Sequence, residues 1–355
     1  MIVGHYIWSA NIGGIEKITL DLATQQLSTG ITPHILVGKD KGEWLSKLES
    51  FKYSCCGLTN GYITSLKSMQ IMRAFFAVVD VIHLHTFHPM VYLFAIISGK
   101  KIVYHIHGNW TSGRTEKWTD VVKRHVLRLF LMRYTNHLIF NSHYTQQRFT
   151  KQFKLSARVP QAVIHNGINV QNVLIPTTPS NLFTVGTCGR LATVKRMDRV
   201  LVAFRLFARN KTNIQLNIVG DGPLMPELKL LAKKLGISSL VNFVGSVPNA
   251  TKQIAQFTVT VLGSEGESFG LVALESLNQN KPTLVFNDGG GLTEIMQLVD
   301  AKNIARDEDD MANLLGVYYI QWQNNKLHSE FDTVLKQHFS IANFEQQINA
   351  VYSTL

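Results

Sequence analysis

Within SEGESFGLVALESL (264–277), Glu267 and Glu275 stand eight residues apart around a Phe-Gly pair. The apolar run FTVTVLG ends just before it, at Gly263, and LVALESLN has the spacing of a helix. A strand that turns into a helix through glycine leaves free amides around Phe269, Gly270 and Leu271, which suit an anion such as a diphosphate. Glu267, ahead of the helix, can hold the hydroxyls of a sugar, and Glu275, over a turn into it, suits the diol of a ribose. A plainer reading fits the same spacing: Glu275 on a solvated helix face, Glu267 as an acid favoured by the helix dipole.

GTCGRLATVKRMD (186–198) also follows an apolar run and offers Arg190 and Lys195 near a helix start. A guanidinium, an ammonium and a helix N-terminus together neutralise a diphosphate, although two solvated cations account for the pattern equally well. It is not a Walker A loop, because the glycine pattern and the hydroxyl residue after the lysine are absent. In ANIGGIEKI, Gly13 and Gly14 sit at a strand-to-helix turn that would aim amides at a ligand, as a bland tight turn also would. GDGPLMPEL (220–228) starts like a dinucleotide fingerprint but lacks its third glycine, and reads as a strand end followed by a helix start, with Gly220 facing a ligand at most.

Two decoys need weighing. HLHTFH (83–88) and HIH (105–107) end two expected strands and place His83 with His85, and His105 with His107, on shared faces. Three of them would satisfy zinc, but no carboxylate or cysteine accompanies them, so the expectation is no metal, with His85 and His88 contacting acceptor or donor. DEDD (307–310) resembles an Asp-x-Asp metal site but falls where a helix begins, the ordinary place for a solvated acidic first turn.

These residues need elements to position them. At 355 residues the chain is long enough for two domains, and 45% apolar residues exclude disorder. In the first half the runs at 2–8, 33–38, 80–85, 101–107, 137–142 and 162–167 read as strands. Helical segments alternate with them at roughly 15–29, 62–78, 89–98, 115–135 and 143–152. Continuous rather than alternating apolar strands imply parallel sheets covered on both faces. After the Pro-containing stretch 169–181 the rhythm restarts with LFTVGTCG, NIQLNIVG, LVNFVG, FTVTVLG and KPTLVFN. The fold class expected is α/β, two Rossmann-like doubly wound domains at 1–168 and 182–338 around a central cleft. The segment 169–181 is a linker, and a last helix at 339–355 crosses back to the first domain.

Charge is uneven. Residues 1–170 hold 19 Lys+Arg against 8 Asp+Glu, and 171–355 hold 16 of each, so the whole excess of +11 lies in the first half. EKWTDVVKRHVLRLFLMRY (116–134) interleaves Trp118, Val122, Leu129 and Phe130 with Lys117, Lys123, Arg124, Arg128 and Arg133, a pattern for docking on anionic lipid. A core-facing helix with a wet basic side has the same pattern. Nucleic acid is disfavoured, since no aromatic-interleaved platform or zinc finger accompanies the charge. The first residues carry no basic leader, no apolar run approaches the ~20 residues that cross a bilayer, and three cysteines make no disulfide framework. The expectation is a cytoplasmic protein, peripheral on the inner face of the cell membrane.

ESFGLVALE resembles the E-x7-E signature of retaining glycosyltransferases of family 4, which have the GT-B fold. GGIEKI, HIHGN, VIHNGIN, GRLATVKRMD, IVGDGP, FVGSV and GGLTEIM are similar to that family's motifs in order and spacing. Two positions depart from it: Ser268 and Asn280 stand where the family commonly has glycine. The resemblance implies that Arg190 and Lys195 bind the donor diphosphate, Glu275 the ribose and Glu267 the donor sugar. His107 would sit by the transferred sugar, and Val247 near the base. Gly13, Gly14, Gly220, Ser268, Phe269, Gly270 and Leu271 would complete the nucleotide-sugar site. It further implies metal-independent transfer, with retention, from a nucleotide diphosphate sugar (UDP before GDP) to a hydroxyl of a lipid-linked glycan in surface polysaccharide synthesis. A sugar-nucleotide epimerase of the same fold is the alternative.

Overall fold

The computed structural model describes residues 1–58, 65–108, 118–156, 158–170, 181–327 and 330–355. The expected helix start at 62, Asn109 of HIHGN, residues 115–117 of the basic helix and most of the 169–181 linker lie outside them. The chain divides into two units: Met1–Asn169 with Phe339–Leu355, and Val170–His338.

Unit 1 is built on a parallel sheet of β1 (Ile2–Ile7), β2 (Thr32–Val37), β3 (Lys52–Cys55), β4 (Val81–Leu84), β5 (Lys101–Ile106), β6 (His137–Phe140) and β7 (Gln161–Val163). Their order is β3-β2-β1-β4-β5-β6-β7. The crossovers carry α1 (Gly14–Ser28), α2 (Leu45–Leu48), α3 (Leu66–Val78), α4 (Pro89–Ile97), α5 (Trp118–Tyr134) and α6 (His143–Phe153). β1, β4 and β5 are buried along nearly their whole length, as strands covered by helices on both faces must be. β3 escapes the sequence pattern because it is a sheet-edge strand whose Lys52 and Tyr53 are exposed. Ser142 caps α6 by accepting from the Thr145 amide at 3.0 Å.

Unit 2 repeats the plan with β8 (Phe183–Cys188), β9 (Ile214–Val219), β10 (Val241–Gly245), β11 (Val259–Leu262), β12 (Thr283–Phe286) and β13 (Ile304–Ala305), ordered β10-β9-β8-β11-β12-β13. Its helices are α7 (Met197–Phe207), α8 (Met225–Lys234), α9 (Ala250–Ile254), α10 (Leu271–Leu277), α11 (Gly291–Val299), α12 (Glu308–Gln323) and α13 (Asp332–Phe339). DEDD opens α12, where Asp307 caps the helix by accepting from the Asp310 amide at 2.8 Å and Asp310 pairs with Arg306 at 3.0 Å. Asn280, after α10, has φ 52°, a left-handed turn that glycine enters freely and asparagine tolerates, so the departure from the family pattern keeps the turn.

The last helix, α14 (Ile341–Ser353), packs against α1 within unit 1. The Ile168 amide donates to Phe339 and the Ile341 amide donates to Ile168, each at 2.8 Å. Glu345, 4% exposed, accepts from the Thr29 hydroxyl at 2.7 Å, so its buried charge is hydrogen-bonded. No described helix is long and apolar enough to cross a membrane.

Candidate functional site

In a doubly wound sheet, ligands meet the carboxyl ends of the strands where the order reverses. In unit 2 that point lies between β8, which continues to β9 on one side, and β11 on the other. Lys195 follows β8 and Glu267 follows β11. Lys195 Nζ donates to Glu267 Oε1 at 2.5 Å, with both side chains about one-fifth exposed. The lysine stem passes over Gly189, where a Cβ would stand 3.5 Å from Lys195 Cε.

Two loops hold this pair. The Glu265 amide donates to the Val194 carbonyl at 2.9 Å, joining the segment after β8 to the one after β11. The Glu267 amide donates to Gly289 at 3.0 Å, and the Gly291 amide donates back to Glu267 at 2.8 Å, so its backbone is zipped to the start of α11. A Cβ on Gly291 would lie 2.3 Å from the Ser268 carbonyl. Gly270 has φ 107° ahead of α10, and a Cβ there would lie 2.6 Å from Leu292. Phe269 is buried, Ser268 and Leu271 half-buried, and all border this turn.

Arginines that the sequence reading missed brace the same loops. Arg196, at φ 43°, pairs with Asp198 at 3.1 Å and Glu265 at 2.5 Å. Arg199, 7% exposed, donates to both Asp288 oxygens at 2.9 Å and lies 3.6 Å over the Phe286 ring. The mixed charges of KRMD, with acids on other loops, were the available signal; the pairing is tertiary. Arg190 is exposed, and its guanidinium has no partner among the described residues.

Glu275 is half-buried on α10, and its negative charge acts on Cys188, whose thiol burial pushes up to about 12. Val247 and Val272 pack on the cluster of Cys188, Val219, Ile254 and Phe257, under the ends of β8, β9 and β10. Gly220 has φ 128°, and a Cβ there would fall 2.0 Å from the Gly189 carbonyl, so this corner needs glycine. Unit 2 thus offers charged groups after β8 and β11, and an apolar shelf beside one carboxylate.

In unit 1, His5 on β1, His83 at the end of β4, His85 just beyond it, His105 on β5 and His107 just beyond that form one cluster at the β1–β4 reversal. His83 and His85 stack at 4.2 Å between ring centroids, and His105 and His107 at 4.0 Å, as their two-residue spacing requires. Burial lowers the His5 pKa to about 4 and that of His107 to about 3, and drives those of His83, His85 and His105 well below the usual 6.5.

The expected acceptor contacts shift accordingly. His85 is 2% exposed, with both ring nitrogens engaged by His5 and His107, and His88 is 7% exposed and stacked on Trp8 at 5.6 Å. His107, half-buried, is the member that reaches solvent. At the start of α1 the carboxylate of Glu16 lies against Gly13, where a Cβ would sit 2.4 Å from it, and burial raises its pKa; Gly14 is exposed.

Comparison with known proteins follows the two units. Residues 12–172 match the family model described as Glycosyltransferase Family 4, and residues 175–315 match the one described as Glycosyl transferases group 1. An N-acetyl-alpha-D-glucosaminyl L-malate synthase of Bacillus anthracis is 29% identical over 161 residues, 40% of this chain and 42% of that protein. An exopolysaccharide phosphotransferase of Streptomyces coelicolor is 32% identical over 109 residues, 30% of this chain and 12% of that protein. The matches therefore span less than half the length of these curated relatives. HepE of Anabaena, solved in complex with UDP and glucose, superposes over the full length of both chains with a TM-score of 0.80 at 20% identity.

Proposed function

The chain is a glycosyltransferase of the family 4 type with the GT-B fold, and from that premise we propose that it moves a hexose, with retention, from a nucleotide diphosphate sugar to a hydroxyl of a lipid-linked glycan. The observation that carries the reading is the Lys195–Glu267 pair, held by mutually braced loops at the strand reversal of unit 2. Lys195 and exposed Arg190 supply fixed positive charge for the diphosphate. Glu267 accepts from the sugar hydroxyls, while Glu275 accepts from the ribose diol beside the shelf where Val247 meets the base. We put UDP before GDP as the donor nucleotide, UDP being the nucleotide solved with HepE.

The bond from the anomeric carbon to the departing phosphate breaks as the acceptor oxygen bonds the same carbon from the same face, and the hydroxyl proton passes to a phosphate oxygen. Negative charge then grows on the leaving diphosphate, where Lys195 and Arg190 oppose it. These two cations do the work that a metal ion does in other diphosphate sites, so the reaction needs none.

Incubation with a panel of UDP- and GDP-sugars and a polyprenyl-linked sugar acceptor tests this. The expected product is an α-linked glycan, read from its anomeric proton coupling, at a rate that chelator does not change. A β-linkage removes the retaining mechanism, loss of rate restored by a divalent ion removes metal independence, and isomerised donor without acceptor makes the chain an epimerase.

The acceptor's lipid fits one face of unit 1. On α5, Trp118 is 77% exposed, Val122 50% and Leu129 60%, and on neighbouring α4 Ile97 is 68% exposed. Exposed Lys123, Arg128 and Arg133 flank that stripe. An apolar stripe edged by cations suits the interface of an anionic membrane. Replacing Lys123, Arg128 and Arg133 by glutamine removes about 3 kcal/mol of attraction, roughly a hundredfold in partition. Sedimentation with phosphatidylglycerol vesicles measures it, and unchanged partition makes α5 a purely structural helix.

A further inference from the structure

The histidine cluster of unit 1 carries an inference beyond donor binding. His5 Nε2 meets Gln26 Oε1 at 2.8 Å, His5 Nδ1 meets His85 Nε2 at 3.0 Å, and His85 Nδ1 meets His107 Nε2 at 2.9 Å. Gln26, His5 and His85 are all at most 2% exposed. Four side chains therefore form one unbroken file that runs from the core to the half-buried His107.

A neutral imidazole has one N–H and one lone pair, so a file of them has a direction. The amide oxygen of Gln26 only accepts; His5 must therefore carry its proton on Nε2 and present a lone pair at Nδ1. His85 Nε2 donates to that lone pair and His85 Nδ1 is left to accept. His107 Nε2 donates to His85, and His107 Nδ1, which has no partner among the described residues, is left as a lone pair. The amide at the buried end fixes the tautomer at the exposed end. Neutrality throughout is what burial imposes on these rings.

The Gln26 side chain also acts on Tyr352 of α14, whose hydroxyl meets His83 Nδ1 at 2.6 Å. The titratable groups facing the file are His83 and His105 from β4 and β5, and Tyr352 with Glu345 from α14. Two triads, His5–His83–His85 and His85–His105–His107, bring ligand atoms within 4.8 Å of one another. Neither includes a carboxylate or a thiolate, so a divalent ion there would need a bound hydroxide or other anion to offset its charge.

We propose that Gln26, His5 and His85 are positioning residues that hold His107 as its Nε2-protonated tautomer, so that His107 Nδ1 accepts a hydrogen bond from a substrate hydroxyl. The proposal rests on the transfer reaction above. A His107 of the other tautomer would present an N–H to that hydroxyl and could not accept its hydrogen bond.

Two readouts test it. Imidazole 15N spectra of histidine-labelled protein between pH 8 and pH 6 report tautomers whether or not transfer occurs. The expected result is Nε2–H for His5, His85 and His107. A His107 carrying its proton on Nδ1, or titrating in that range, overturns the proposal even in an active enzyme. Loss of these N–H signals on addition of one equivalent of zinc also overturns it, making the cluster a metal site. In the kinetic arm, Gln26→Leu removes the accepting oxygen and lowers kcat about 100-fold with the donor KM unchanged. Gln26→Glu keeps an acceptor and restores most of kcat. Equal losses in both variants, or none in Gln26→Leu, overturn the positioning role. If the wild type transfers no sugar, the transferase reading fails and the spectra still decide the file.

Discussion

Lys195→Ala lowers glycosyl transfer roughly 100- to 1000-fold, the loss that follows removal of one fixed charge opposing a developing anion. Glu267→Gln gives a loss of the same order for a different reason. Its amide keeps the shape but presents N–H where the sugar hydroxyls and Lys195 require an acceptor. Both side chains are about one-fifth exposed and bonded to each other at 2.5 Å, so each variant leaves a partner that can rehydrate. The cost in stability is therefore about 1 kcal/mol, small beside the kinetic loss. Transfer assays run beside thermal unfolding separate the two. Wild-type rates in either variant remove that residue from the reaction, and a collapse of the melting temperature assigns it to the fold.

A second large effect is acid instability confined to unit 1. His5, His83, His85 and His105 are buried neutral, with folded pKa values far below the 6.5 they regain on unfolding. Above pH 6.5 neither state binds these protons and stability is level. Below it the unfolded chain binds protons that the folded unit refuses, so stability falls down to the folded pKa, about 4 for His5. Each ring contributes up to about 1.4 kcal/mol per pH unit and the four together up to about 6 kcal/mol per pH unit, a large share of a typical domain's stability. Calorimetry from pH 8 to pH 5 is expected to show one transition moving down steeply below pH 6.5 while the other lags. His105→Phe keeps the stacking and deletes one titrating ring whose two nitrogens have no partner among the described residues, so its melting temperature at pH 5.5 rises above that of the wild type. A single transition with no steepening below pH 6.5 contradicts this account.

The sequence made the main architecture legible because apolar runs of strand length, separated by helical periods, specify doubly wound sheets with few alternatives. What it concealed were elements too short or too exposed to register, namely β3 at a sheet edge and β13 with two residues. At the site, local spacing showed that His83 and His85 share a face and that Glu267 and Glu275 bracket a helix start. It could not show the partners that tertiary structure supplies. Gln26 meets His5 across a strand and a helix, Tyr352 reaches His83 from the last helix, and Arg199 ties α7 to Asp288 after β12. His85 illustrates the difference: its position at a strand end suggested a ligand contact, whereas its two nitrogens are spent inside the file.

A crystal structure with UDP or GDP bound tests the central claim most directly. The account predicts the diphosphate against Lys195 and Arg190, the ribose diol on Glu275 and the base beside Val247. A nucleotide bound in unit 1, or bound in unit 2 away from Lys195, contradicts it.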